Sequence, residues 1–182
     1  MNPTRPKRET ASVRPISRQV DYAWLAGILD GEGALALGIR TAQNGKPYLE
    51  AKIRVYNTDV RMIEKISRIY DESNVVFFYN LNRKRAEGWK DQLGICVTSQ
   101  GSCLKILEAV MPYLANKREI AEKMADVIRH VKSQPKGGGA VAKPYVGTDE
   151  FDRLLAEFET AKAHHIEAST TARCAGKVLE VA

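Results

Sequence analysis

Residues 25–33 read Leu-Ala-Gly-Ile-Leu-Asp-Gly-Glu-Gly, and this segment decides how the rest of the sequence is interpreted. A mostly apolar stretch, residues 22–29, runs into it, and the glycines that follow are typical of a helix C-terminus. Ala26 and Gly27 carry little side chain, which lets the backbone of a second helix approach closely. The segment therefore predicts a short helix with the acidic residue Glu32 just past its end.

Two segments of alternating apolar and other residues follow, joined by the turn signal Asn-Gly-Lys-Pro at residues 44–47. Alternation with period two is typical of a strand with one buried face, so the pair predicts an antiparallel hairpin. The other face of the second strand is rich in basic and aromatic residues. The expected buried positions are Leu35, Leu37, Ile39, Leu49, Ala51, Ile53 and Val55.

The order of elements predicts an α+β fold. Thr58 or Asp59 suits the N-cap of a helix after the hairpin, because a short oxygen-bearing side chain can accept a hydrogen bond from the first turn. Residues 75–82 and 92–99 predict a second strand pair, and two helices with apolar positions at helical spacing follow it. No second copy of this unit occurs in the sequence.

Composition shifts divide the chain into four parts. Residues 1–19 form a basic arm without periodicity, which we expect to be flexible. Residues 20–134 form the predicted core, and residues 135–147 form a linker rich in Gly and Pro. Residues 148–182 comprise a predicted amphipathic helix and a tail.

The bulk composition restricts the class of protein. The chain has 182 residues, a net charge of +6 and three cysteines, and it contains no apolar run long enough to span a membrane. The cysteine spacing fits no zinc site, so we expect reduced thiols in an intracellular protein, in the cytoplasm or an organelle. The positive charge favours a polyanionic partner.

Residues 25–33, in their helix-to-hairpin context, resemble the LAGLIDADG motif of homing endonucleases, with Glu32 in place of the second Asp. The resemblance covers roughly residues 22–131. It implies an αββαββα fold in which an antiparallel sheet forms a DNA-binding saddle and helices pack on the other face. It also implies a single-motif protein that works as a homodimer and cuts both strands of a long pseudo-palindromic DNA site, leaving short 3′ overhangs at a target that lacks the intron or intein.

The resemblance implies that the second acidic position, Glu32, binds metal, and we expect Gly31 to contribute to that site. Two Glu32 carboxylates that converge at a two-fold axis are costly unless cations lie between them. Hard divalent ions suit such oxygen ligands, so Mg²⁺ is the expected cofactor, with Mn²⁺ as a substitute and Ca²⁺ bound without supporting cleavage. Asp30 is expected to be structural and to form hydrogen bonds near the helix end. As a lone acidic residue near a glycine, Glu32 would instead close a surface turn.

Three further residues match the family's active-site pattern. Asn57 ends the second strand, Arg61 lies four positions later, and Lys117 ends the segment Pro-Tyr-Leu-Ala-Asn-Lys at residues 112–117. The resemblance implies that Asn57 positions water and that the two cations stabilise charge at the scissile phosphate. The alternatives are a cap at Asn57, a solvated helix charge at Arg61 and a first-turn helix lysine at Lys117, although a cation there opposes the helix dipole.

Two surfaces are expected from these patterns. The outward strand faces carry residue types suited to base edges and phosphates, although an ordinary solvated sheet exterior would also carry them. The predicted DNA-binding residues are Arg40, Tyr48, Glu50, Lys52, Arg54, Tyr56, Asn80, Asn82, Lys84 and Thr98. The predicted dimer interface comprises Leu25, Ala26, Gly27, Leu29 and Asp30.

Other functions remain open from the sequence. The same pattern is compatible with an intron RNA maturase or a non-cleaving DNA-binding regulator, and less well with a dimer that binds no nucleic acid. The presence of Glu32, Arg61 and Lys117 together favours catalysis. His164 and His165 are adjacent on the last predicted helix and do not share a helix face, so we interpret them as surface or packing residues.

Overall fold

The computed structural model describes residues 15–82, 90–134 and 145–179. In this part of the chain, one helix precedes each of the two strand pairs, and only helices follow the second pair. The elements are α1 (Pro15–Glu32), β1 (Gly33–Thr41), β2 (Pro47–Asn57), α2 (Val60–Glu72), β3 (Phe78–Asn82), β4 (Gln92–Val97), α3 (Gln100–Val110), a 3₁₀ turn (Met111–Tyr113), α4 (Arg118–Ser133) and α5 (Asp149–Leu179).

The strands form one antiparallel sheet in the order β1-β2-β4-β3, so the two predicted strand pairs are joined through β2 and β4. The alternate positions Leu49, Ala51, Ile53 and Val55 of β2 are buried, as the alternation predicted. Ile39, near the end of β1, was also predicted to be buried and is 40% exposed. The buried β2 residues pack with the helices into one apolar core, so the sheet has a helix-covered face and an open face. The α+β fold expected from the sequence is confirmed.

Each helix covers part of the sheet because its apolar residues recur on one side. Asp59 caps α2 by accepting a hydrogen bond from the backbone N–H of Arg61 at 3.0 Å, as predicted, and Ile63 and Ile66 are fully buried below it. Burial of such a side chain contributes about 1.5–3 kcal/mol. Met124 of α4 is likewise fully buried, so these helices form a continuous layer under the sheet.

Helix α5 packs against α4 and extends the helical layer. Phe151 and Phe158 are fully buried at their contact, and Lys123 of α4 donates to Glu157 of α5 at 2.7 Å. Thr148 caps α5, since its hydroxyl oxygen accepts from the backbone N–H of Phe151. None of the helices in the described ranges is both long and apolar enough to cross a membrane.

Three predicted boundaries differ from the structure. Strand β4 ends at Val97, whereas the predicted strand ran to residue 99. Helix α1 begins at Pro15, so residues 15–19 belong to the helix and not to the basic arm; proline suits a first helical turn because its missing N–H needs no partner there. Strand β3 begins at Phe78 because the N–H groups of Val75 and Val76 bond to Tyr70 and Ser102 of the helical layer. Residues 1–14, 83–89 and 135–144, which include most of the predicted arm and linker, lie outside the described residues.

Candidate metal centre and nucleic-acid interface

The chain passes from helix to strand with no residue between them. Glu32 is the last residue of α1 and Gly33 is the first residue of β1, and the Glu32 side chain is exposed. A Cβ atom at Gly33 would lie 2.6 Å from the carbonyl oxygen of Leu29 and 2.7 Å from its Cα, so only glycine fits. This tight junction places an acidic side chain where the helix meets the edge of the sheet.

The carboxylate of Asp30 joins α1 to the start of α4. One oxygen, Oδ2, accepts from the backbone N–H groups of Ala115 at 2.7 Å and Asn116 at 3.2 Å, and Oδ1 accepts from that of Lys117 at 2.9 Å. These donors have no partner within a helix of their own, since they precede the first turn of α4. Asp30 therefore has the kind of structural role that the sequence predicted, since its hydrogen bonds join the end of α1 to the start of α4.

Lys117 completes the connection in the opposite direction. Its Nζ donates to the backbone carbonyls of Leu29 and Gly33, both at 2.8 Å, on either side of Glu32. Burial lowers the pKa of Lys117, while the charges of Asp30 and Glu32 oppose that shift. A half-buried cation is thus held at the end of α1, beside the exposed acid.

The end of β2 lies next to the same junction. Gly33, the first residue after α1, pairs with Val55 of β2. The last two residues of β2, Tyr56 and Asn57, therefore lie beside the end of α1. Asn57 is half-buried, and its Oδ1 accepts from the backbone N–H of Asp59 at 2.8 Å. Asp59 is the N-cap of α2, so this contact forms a turn before the helix and Asn57 is not the cap that the sequence left open. Arg61 is exposed, and its Nε lies 3.3 Å from Asp59 Oδ1, so the rest of its guanidinium can turn toward a phosphate.

The open face of the sheet carries most of the predicted DNA-binding residues. By strand register, the side chains from β2 and those from β3 share this face with Arg40 of β1. Thr98 is exposed just after β4, and Lys84 lies outside the described residues. The residues that the structure brings together here are Arg40, Tyr48, Glu50, Lys52, Arg54, Tyr56, Asn80 and Asn82.

Comparison with known proteins was made at the level of families, curated proteins and solved structures. No family model and no curated protein matches the chain. The homing endonuclease I-CvuI, in complex with the I-CreI target in the presence of Mg, matches at 24% identity with a TM-score of 0.52 over 65% of this chain and 72% of that one. A point mutant of the meganuclease I-SmaMI matches at 14% identity with a TM-score of 0.56 over 86% of this chain and 47% of that one.

This chain has the LAGLIDADG homing endonuclease fold.

Tyr56 lies flat on the sheet because the residue paired with it on β4 is a glycine. Its ring covers Gly94, where a Cβ atom would lie 2.4 Å from ring carbon Cε1, and its hydroxyl accepts from Asn80 Nδ2 at 2.9 Å. Phe78 and Gln92 share this open face of the LAGLIDADG sheet by register, and sequence reasoning missed both. Phe78 lies two positions before Asn80 in the same strand, so the period of two would have identified it.

The LAGLIDADG helix presents a different face from the one predicted. Leu25, Ala26 and Leu29 have at most 1% of their surface exposed, because they fill the core of their own subunit. Their prediction as dimer-interface residues is therefore wrong. From residue 18 onward, where the burial of α1 is described, its exposed small residues are Ala23, Gly27 and Gly31, and no atom lies within 4 Å of a Cβ added at either glycine.

A cleft of 740 Å³ opens beside the LAGLIDADG helix, between its last turn, the start of α4 and the middle of α5. Asp30, Lys117, His164 and His165 are among the residues that line it. The histidines are thus placed near the acidic junction, which helical spacing did not indicate. Among the residues that the structure describes, no group of three or more His, Cys, Asp or Glu is arranged to hold a metal ion.

Proposed function

We propose that this chain is a site-specific homing endonuclease that acts as a homodimer and hydrolyses both strands of a long pseudo-palindromic DNA site. The observation that carries this proposal is the junction at Glu32. An exposed acid lies there beside a half-buried lysine, at one end of an open sheet face rich in cations, within a LAGLIDADG fold. Structural neighbours with this fold are homing endonucleases in complex with DNA.

The proposed dimer is supported by the exposed face of α1. Gly27 and Gly31 leave its backbone open, so two copies of the helix can approach closely, as small residues allow elsewhere. This chain also spans less than half of the length of I-SmaMI, which it matches. About 20 base pairs extend roughly 70 Å along DNA, which is wider than one sheet of this size, and two subunits would provide the needed width.

The donor set at the junction suits a hard divalent ion. One chain offers the Glu32 carboxylate and the backbone carbonyl of Gly31, and a second copy would supply an equal set. Oxygen ligands favour Mg²⁺, with Mn²⁺ as a substitute and Ca²⁺ as an ion that binds without supporting cleavage. When bound, such ions provide an activated water and stabilise the leaving oxygen. I-CvuI structures with DNA were obtained in the presence of 2 mM Mg, where the DNA is not cleaved, and of 2 mM Ca.

The residues of the chain itself would hold the DNA and balance its charge. Lys117 donates to the carbonyls on either side of Glu32, so its ammonium would lie near a scissile phosphate that approaches Glu32. Arg61 is exposed and would stabilise negative charge that develops on that phosphate, while Asn57 would orient water. Arg54 and Lys52 on the open face of the sheet would contact the duplex.

Cleavage assays test this proposal. Purified chain is incubated with Mg²⁺ and duplexes that carry the DNA flanking its own gene, and Glu32→Gln is compared with Glu122→Gln, an exposed charge on α4. Loss of a metal ligand removes several kcal/mol of transition-state stabilisation, so Glu32→Gln should reduce cleavage by about 100-fold or more. Glu122→Gln should cleave normally, and both variants should bind the duplex.

Three other outcomes would each contradict the proposal in a different way. DNA binding without cleavage by the wild-type chain would indicate a non-cleaving regulator. Binding of host intron RNA that promotes splicing, in the absence of cleavage, would indicate a maturase. If the chain binds neither nucleic acid, the α1 face would be only a protein interface.

A further inference from the structure

Three charged side chains on the open face form a connected group, Arg40, Glu50 and Lys52, which we call the charged triad. Glu50 Oε2 accepts from Arg40 Nε at 3.0 Å and from Lys52 Nζ at 2.8 Å. The three residues occupy neighbouring positions of β1 and β2, because Glu50 pairs with Gly38 and Lys52 pairs with Ala36. The Arg40 side chain is 61% exposed, and the side chains of Glu50 and Lys52 are 23% and 27% exposed.

The hydrogen bonds within the triad use only part of its capacity. Both bonds end on Oε2, so the second carboxylate oxygen of Glu50, Oε1, takes part in neither of them. Arg40 uses Nε alone, which leaves its terminal nitrogens as donors, and the Lys52 ammonium has three N–H groups. The bonds from Lys52 and then Arg40 lower the pKa of Glu50, so its carboxylate stays an acceptor at neutral pH.

The groups that these bonds leave available follow the order donor, acceptor, donor. Arg40 supplies the first donor, Oε1 of Glu50 the acceptor and Lys52 the second donor. Complementary DNA must present acceptor, donor, acceptor in its major groove. An A·T pair does this within one base pair, through adenine N7, adenine N6–H₂ and thymine O4. A G·C pair presents two acceptors followed by a donor, which would place guanine O6 against the Glu50 carboxylate.

We propose that the charged triad reads one A·T or T·A pair in each half of the DNA site, and that Glu50 is the residue that excludes G·C there. This inference rests on the proposed DNA-binding function. The cations of Arg40 and Lys52 are attracted to any phosphate or guanine, but Glu50 binds both cations through its Oε2. Only a base pair with an amino donor between two acceptors satisfies all three groups at once, because the amino group of a G·C pair lies at one end of its row and leaves one cation of the triad without an acceptor on that pair. Glu50 therefore lowers the affinity for DNA in general and raises the selectivity at one base pair of each half-site.

Selection from duplexes with randomised sequence tests this proposal with the full chain. The wild type should enrich A·T or T·A at one position of each half-site. Glu50→Ala should lose that preference by about tenfold, and Glu50→Lys, which replaces the acceptor with a donor, should favour G·C at the same position. Selectivity at the other positions should stay as in the wild type.

Glu122→Lys is the matched control, since it changes the net charge as Glu50→Lys does but lies on α4, away from the sheet. It should retain the wild-type preference. The inference is wrong if the Glu50 variants keep the A·T preference, or if the position that they alter is G·C in the wild-type selection. If the wild type selects no sequence and binds no DNA, the proposed function fails instead.

Discussion

At the scale of single residues, Asp30 and Lys117 act as a reciprocal pair although 87 positions separate them. Asp30 on α1 accepts from the free N–H groups before α4, and Lys117 before α4 donates to the carbonyls of Leu29, in α1, and Gly33, the first residue of β1. Each end of a helix leaves such groups unpaired, so the two termini complete each other. The ammonium is thereby fixed beside Glu32 before any ligand binds.

This pairing predicts the alkaline limit of cleavage. Burial lowers the pKa of Lys117, so its charge should be lost at a lower pH than that of an ordinary lysine, and the cleavage rate should fall as the pH rises through that value. Asp30→Asn removes a negative charge that raises this pKa, so the fall should occur at still lower pH. The measurement is the pH dependence of the cleavage rate, with circular dichroism to verify folding.

Glu122→Gln removes a carboxylate that lies elsewhere, and it should leave the alkaline limit unchanged. An Asp30→Asn variant that folds and keeps the wild-type limit would contradict the assigned pairing.

At the scale of elements, the direct passage from α1 to β1 determines where the acid lies. Glu32 projects from the last residue of the helix, and the strand that follows is held by β2 from its first residue, since Gly33 pairs with Val55. The close approach of Gly33 to the Leu29 backbone makes this geometry possible. Any residue with a side chain would force the helix and the strand apart.

Gly33→Ala should therefore destabilise the chain. The added methyl group would overlap backbone atoms that cannot turn away, so we expect a loss of about 1–3 kcal/mol in the free energy of unfolding, measured by urea denaturation. Gly101→Ala in α3 is the control, because its nearest neighbour would be 3.8 Å away and alanine favours helix by up to about 1 kcal/mol. Equal stability of the two variants would contradict the proposed role of the junction.

At the scale of the whole molecule, two surfaces stand out in the described part of the chain: the open, basic sheet face and the small-residue face of α1. In a two-fold dimer, the second surface would be covered and the two sheets would be joined into one longer face. Net charge of +6 suits that arrangement, because cations on such a face replace the counterions of DNA.

Gly27→Leu tests the arrangement without disturbing the subunit. Nothing lies within 4 Å of a Cβ at this position, so the variant should fold as well as the wild type, and a better helix former adds up to about 1 kcal/mol. The bulky side chain should prevent close approach of two helices. We expect sedimentation to show two wild-type chains per duplex and at most one variant chain, with cleavage lost.

Ala156→Leu adds a similar side chain to an exposed position of α5 and should retain two chains per duplex. A wild-type complex with one chain per duplex would overturn the dimer altogether.

By itself, the sequence determined the local features of this protein. The period of two in residues 47–57 specified which side of β2 is buried, Asp59 specified the start of α2, and the segment at residues 25–33 specified a helix that ends at an acid. These features depend on neighbours within a few residues, so patterns report them directly. The motif also identified the fold through its resemblance.

Only the tertiary structure decided how distant residues meet. Helical spacing could not show that Leu25 and Leu29 fill their own core and leave Gly27 and Gly31 for contact, because burial depends on what packs against each face. Nor could it show that Lys117 reaches both carbonyls that flank Glu32, or that Arg40 and Lys52 share one oxygen of Glu50. Such contacts depend on the packing of elements far apart in the chain.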